Sequence, residues 1–261
     1  CNQTPVKKAI PFVMHPEELS PSLPNWYATS YFDGVDYASV LVKCREGRPI
    51  KIEGNNMSSI NRGGINARVQ ASVLGLYDEE RLREPSMDGN PVSWEDWMGE
   101  LVQELSGAAP GTVLLLTPSV VSPLTKGLLQ QTLNRFPSLR HVVMDSASVS
   151  SLLEANEMQF GQSAIPALRF DKANLVVGIG ADFLGNWVSP VEFTKQWSSR
   201  RRPTKEKPEM SRHIQFETLL TLTGSNADAR YTYRASQEAL VVANLYNAVA
   251  RLAGRPQVQA P

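Results

Sequence analysis

The sequence predicts an α/β protein, a small β-hairpin and helix subdomain followed by a doubly wound, mainly parallel sheet. Two patterns predict it. Four short, continuous apolar runs, at 112–117, 141–145, 174–180 and 212–217, are each followed by a stretch of helical character. Continuous apolar strands separated by helices indicate parallel pairing with both sheet faces covered. Upstream, "VDYASVLVKC" and "RPIKIEG" instead alternate apolar and polar residues around "REGR", the pattern of a hairpin with one wet face.

Taken in order, residues 1–33 carry five prolines and little periodicity, and read as an extended tether and docking arm. Its aromatics, Trp26, Tyr27, Tyr31 and Phe32, suit a segment that docks on another surface. Residues 34–84 hold the hairpin, a double-glycine loop, and a helix from about Ala67 to Leu76, with Pro85 as the stop signal. Residues 85–261 form the Rossmann-like α/β portion. Its first helix, "SWEDWMGELVQEL", opens on Ser93 as N-cap with Asp96 three residues later, a variant capping box. Trp94, Trp97, Leu101, Val102 and Leu105 form its apolar stripe. "SPLTKGLLQQTLNRF", "SVSSLLEANEMQF" and "SPVEFTKQWSSRR" follow the first three strands. After the fourth strand comes a long polar loop, then "SQEALVVANLYNAVARLAG".

Composition excludes several classes. The 26 basic and 26 acidic residues balance, which argues against a general nucleic-acid binder. No apolar run approaches the roughly 20 residues that span a bilayer. Two cysteines, Cys1 and Cys44, cannot supply a four-thiolate iron–sulfur cluster. His15, His141 and His213 are scattered, with no ligand spacing.

Cys1 has its own reading. Bacterial lipoproteins are cut immediately before a cysteine that carries a diacylglyceryl group, and "NQTPVKKAIPF" resembles a polar tether behind such an anchor. The expectation is a lipid at Cys1 and a place on the periplasmic face of the cytoplasmic membrane. A trimmed terminus is the alternative.

Two stretches invite a ligand. "VVGIGADFLGN" ends a strand on Gly178 and Gly180 with Asp182 and Gly185 beyond, where α/β sheets bind ligands, but its third glycine is two residues late for a dinucleotide fingerprint. Its glycines also suit a sharp turn off the sheet. Arg200, Arg201, Arg202, Lys205 and Lys207 form a basic stretch fit for phosphates, acidic lipids or a partner's carboxylates, or simply for solvent. Asp228 reads as a helix or turn cap. No nucleophile motif and no paired carboxylates stand out, so no catalytic, cofactor-binding or metal-binding residue is assigned.

The order of "CREGRPIKIEGN", "GGINARVQASVLGLYD", "RLREP", "SWEDWMGEL" and "ADARYTYRASQEAL" resembles the molybdopterin oxidoreductase superfamily. There the hairpin and loop bear iron–sulfur ligands, the last in the pattern G-x-x-C-x-[KR]-G. In this sequence Asn66 stands at the cysteine and Val69 at the glycine after Arg68, and the aromatic segment before Asp36 has no cysteine. Arg234-Ala235-Ser236 stands where such enzymes often carry R-P-G or R-x-G. With "DFLGNWVSPVEFTKQW" and "LTLTGSNADAR", the chain is similar to the N-terminal, molybdopterin-oxidoreductase-like part of the iron–sulfur subunit of bacterial alternative complex III, a quinol:electron acceptor oxidoreductase. The resemblance implies a cofactor-free scaffold in respiratory electron transfer, with iron–sulfur clusters and haems c elsewhere in the complex. It implies as partners a multihaem cytochrome c subunit, integral membrane quinol-binding subunits and a ferredoxin-like iron–sulfur domain. Two readings compete with it: an active molybdopterin enzyme fragment, and a periplasmic ligand-binding lipoprotein using the Gly178–Gly185 crevice.

Overall fold

The structure is a computed structural model that describes residues 23–261; Cys1, the tether behind it and His15 lie outside the described residues. It is mixed α/β, as expected. A three-stranded antiparallel sheet is formed by β1 (Asn25–Phe32), β2 (Tyr37–Arg45) and β3 (Arg48–Gly54), in that order. The β2–β3 turn falls on Glu46 and Gly47, both with positive φ (50° and 78°). That matches the right-handed twist a two-residue hairpin needs. After a loop come α1 (Ala67–Ala71) and a 3-10 segment, Ser72–Leu76.

The aromatic segment is not an irregular arm. Residues 25–32 pair along their whole length with β2, from Asn25 opposite Cys44 to Phe32 opposite Tyr37. As an edge strand, β1 is exposed at most positions on both faces, so it lacks the alternation that marks a half-buried strand. Tyr31 packs against the hairpin core, whereas Trp26, Tyr27 and Phe32 stay exposed.

A short ribbon, β4 (Ser86–Met87) with β5 (Asn90–Pro91), precedes α2 (Trp94–Gly107). Ser93 caps α2 as the sequence indicated, accepting from Asp96 N at 3.1 Å, while its hydroxyl donates to the Asp96 carboxylate. Then follow β6 (Val113–Thr117), α3 (Pro123–Arg135), β7 (Leu139–Val143) and α4 (Ser150–Phe160). β8 (Leu175–Ile179), α5 (Pro190–Ser199), β9 (Arg212–Glu217), α6 (Leu222–Ser225), β10 (Ala229–Thr232) and α7 (Glu238–Leu252) complete the chain.

The parallel strands divide between two sheets: β6 pairs with β7, and β8, β9 and β10 form a second sheet with β9 central. The expected polar loop after β9 therefore contains a helix and an edge strand. In the two-stranded sheet, Leu114 and Leu116 lie on one face and are each more than half exposed (57% and 56%).

Helix α5 joins the two main cores. Its Val191 enters the hairpin core with Ala38, Val40, Ile52, Val69 and Val73. Its Phe193 enters a second core with Val176, Phe183 and Leu184 beside β8, with Trp197 packed against it. Phe183 is buried there, stacked on Phe170 with centroids 4.5 Å apart. Phe183→Ala should therefore destabilise the fold by about 3–5 kcal/mol, read as a shift in the urea midpoint. A shift within error would mean that this cluster does not hold α5 to the sheet.

Candidate functional site

The double-glycine loop that suggested close approach to a cofactor approaches the chain itself. Gly63 has φ of 78°, and a Cβ there would overlap the Asn56 side chain. A Cβ on Gly64 would crowd the Asn61 carbonyl and Lys195 on α5. Asn61 is fully buried and fastens the loop to β2: its amide donates to the carbonyls of Ser39 (2.9 Å) and Gly64 (2.7 Å), and its oxygen accepts from Ser39 N. The glycines serve packing against Asn56 and α5.

Asn66, at the position of the missing cysteine, is the N-cap of α1, its side-chain oxygen accepting from Val69 N at 3.0 Å. Arg68, next along that pattern, is spent inside the fold. Its Nε donates to the fully buried carboxylate of Asp36 at 2.6 Å, and its Nη2 to the carbonyl of Gly185 at 2.7 Å. One guanidinium thus clasps the start of β2 to the loop after β8.

The end of β8 and that loop have two glycines whose places are filled as well. At Gly178 a Cβ would strike Gln215 Oε1, and at Gly185 the Asp182 carboxylate. Asp182 accepts from Thr223 N and Thr223 Oγ1 (3.0 and 2.7 Å), and Thr223 Oγ1 accepts from Leu184 N. Side chains fill the space directly over these two glycines, but a cavity of about 330 Å³ opens beside them, lined by Phe170, Val176, Gly178, Ala181, Phe183 and Trp187.

A second open space lies at the strand ends. A cleft of about 450 Å³ is bounded by the turn at Phe32–Val35, by Pro118 and Ser119 after β6, by Met144 and Asp145 after β7, and by Asn186 and Val188 after β8. This is the carboxyl end of the parallel strands, where α/β folds bind ligands. Its volume lies within the range of small-molecule sites. Val188 has φ of 58°, rare for a β-branched residue, in a three-residue turn closed by Ser189 N donating to the Trp187 carbonyl. Strain of this kind is worth about 1–3 kcal/mol and concentrates at functional walls.

The charges of the cleft are negative. Burial pushes the Asp33 carboxyl up, but the N–H groups of Asp36 and Val35 and the Tyr31 hydroxyl outweigh it and leave it below the usual range. The hydroxyl and N–H of Ser119 hold Asp145 down as well, at 2.5 and 2.7 Å. No lysine, arginine or histidine is among the described residues that line it. Sequence reasoning missed Asp33, Ser119 and Asp145, although "TPS" and "MDS", each directly after a strand, were a usable signal.

Of the remaining candidates, Arg201 does not face solvent freely. It lies 4.8 Å over the Trp197 ring and forms a two-pronged pair with Asp228, whose other contact is the N–H of His213. Asp228 thus accepts from the backbone of β9 rather than capping a helix. Arg200 donates to Asn174 Oδ1, and Arg202 is exposed. His141 shares a hydrogen bond with Thr117, Cys44 is a half-buried free thiol, and His213 is fully buried. Among the described residues, no group of three or more His, Cys, Asp or Glu is placed to hold a metal.

No family model matches the chain. A 161-residue stretch is 29% identical to the menaquinone reductase, molybdopterin-binding-like subunit of Nitratidesulfovibrio vulgaris. The relation is molybdopterin-oxidoreductase-like. The match covers 57% of this chain and 22% of that relative, so the chain spans well under half of the relative's length. The cysteine position is a helix cap, the basic residue after it is engaged with Asp36, and the strand-end cleft offers carboxylates to a pterin dinucleotide whose pyrophosphate needs cations and free N–H groups.

Two predictions follow from these contacts. Arg68→Ala leaves Asp36 buried without its cation; because Arg68 is itself half-exposed, the expected loss is about 1–3 kcal/mol. Asp36→Asn in that background should recover part of it in urea unfolding, and additive losses would mean the two do not form a unit. The second prediction concerns acid. Burial pushes His213 below its ordinary value of 6.5, against the opposing pull of Gln215, Asp228 and Glu217, with Arg201 adding to the depression. Arg201 holds Asp228 down to about 2, from 3.8. Both folded values are depressed, so both contributions are complete above the unfolded values and are lost as pH falls through the folded ones. The melting temperature should be level above 6.5, drop below it, and drop again between 3.8 and about 2. A rise on mild acidification would contradict this.

Proposed function

We propose that this chain is a cofactor-free structural portion of a membrane-attached quinol:electron acceptor oxidoreductase of the alternative complex III kind. The observation that carries it is the reuse of the cluster-loop positions: Asn66 caps α1, and Arg68 clasps Asp36 to Gly185. A loop that retained a cofactor would need those groups turned outward. The acidic cleft at the strand ends supports the same reading, since ionised Asp33 and Asp145 oppose an anionic dinucleotide. The relative's name supports a role beside a quinone-linked complex. The multihaem cytochrome c subunit, the quinol-binding membrane subunits and the ferredoxin-like domain are the partners this reading requires.

In this reading the chain sits on the periplasmic face, anchored through a lipid on Cys1, and contributes surface rather than chemistry. Trp26, Tyr27 and Phe32 are exposed apolar side chains on an edge strand, and supply the contact area. Arg201 drops out of the contact surface because it is already paired within the fold.

The test is purification of the intact complex. The isolated chain should bind no stoichiometric iron or molybdenum, and Asn66→Cys should add none, since one thiolate cannot hold a cluster. Trp26→Ala with Phe32→Ala should loosen neighbouring subunits by about 2 kcal/mol or more at interface anchors, without lowering the chain's own melting temperature. Arg201→Ala should do the reverse. Bound metal, or a loss of quinol oxidation in a complex that stays assembled, would defeat the scaffold reading. Separately, mass spectrometry of the N-terminal peptide should find a large hydrophobic addition on Cys1; a free thiol there would remove the anchor while leaving the scaffold reading standing.

A further inference from the structure

Three buried polar atoms beneath α5 have no protein partner: Nδ1 of His213, Oγ of Ser211 and Nε1 of Trp197. They share one neighbourhood. Ser211 directly precedes β9 and His213 lies two residues on, so both side chains project to the same face of the strand. Both are buried. Trp197 meets the His213 ring edge-on, with centroids 5.9 Å apart. Arg201 closes the group from above, lying over the indole and donating to the Ser211 carbonyl at 2.5 Å.

Their hydrogen-bonding roles follow from their neighbours. Gln215 Nε2 is 3.3 Å from the Ala181 carbonyl, which can only accept, so the Gln215 oxygen is the atom that faces His213 Nε2. An oxygen there requires a donor, and the histidine proton therefore resides on Nε2. Nδ1 is left presenting a lone pair. The indole can only donate, and the serine hydroxyl can do either.

We infer that these three atoms form the binding site of one buried water molecule. It accepts from Trp197 Nε1, donates to His213 Nδ1, and makes its third bond with Ser211 Oγ. Buried waters typically make about three hydrogen bonds to groups that would otherwise be unsatisfied. Other small ligands fit less well. The Nδ1 lone pair disfavours an anion, and a metal ion is opposed by the indole N–H and the Arg201 guanidinium. The water joins α5 to β9 and fixes His213 as the neutral Nε2–H tautomer, so it links the helix between the two cores to the central strand of the larger sheet.

Nitrogen-15 NMR on the intact chain tests the site. Long-range proton–nitrogen correlations should show His213 protonated at Nε2 and bare at Nδ1. The Trp197 indole proton should show a cross-peak to a long-lived water, and a crystal structure should place one solvent oxygen within about 3.2 Å of all three atoms. Ser211→Val, which fills the space with methyl groups, should abolish the cross-peak in a protein whose spectrum remains folded. The inference is overturned by an Nδ1-protonated tautomer, by an indole bonded directly to His213, or by a cross-peak that survives unchanged in folded Ser211→Val. If that variant does not fold, the tautomer and the solvent position in the unaltered chain decide it.

Discussion

The hydrogen-bonded pair between Arg68 and Asp36 is the constraint on which the arrangement of the site depends. A carboxylate with no exposure is tenable only with a cation against it, and Arg68 supplies that cation from the first helix. The same guanidinium reaches the Gly185 carbonyl, so neutralising Asp36 also sets where the loop after β8 lies relative to the hairpin sheet. Arg62 makes a looser second tie, 3.5 Å from Asp171. With Val191 of α5 in the hairpin core, three independent contacts cross from the N-terminal unit into the α/β portion.

Much of this was legible in the sequence. The hairpin, the Ser93 cap and the order of strands and helices follow from periodicity and turn chemistry, and the structure has them. β1 was hidden for a physical reason. An edge strand wet at most positions of both faces leaves no alternating pattern to read. β10 was hidden differently: "ARYT" is short and mostly exposed, and it is held by parallel pairing to β9 and by the ion pair of Arg230 with buried Glu217. Neither signal is local, so no window of sequence contains it.

The site was less legible than the fold. Gly178 and Gly185 have the composition of a ligand loop, yet the space directly over them is taken by Gln215, distant in the sequence, and by Asp182 of the same loop, and the cavity opens to one side. Conversely, Asp33 and Asp145 lie 112 positions apart and become neighbours of one cleft only when the strand ends and the β1–β2 turn are brought together. What a motif states is the backbone shape available. What fills that shape is decided by tertiary partners.

The two-stranded sheet carries a consequence of a different kind. Among the described residues, this parallel pair, with Leu114 and Leu116 more than half exposed, has no further strand on its edges beside an apolar face. Such surfaces are templates for indiscriminate strand pairing when nothing covers them. Produced by itself, this polypeptide should therefore be prone to aggregate through that edge and face. Its solubility becomes a property of the company it keeps during synthesis rather than of its own balanced charge.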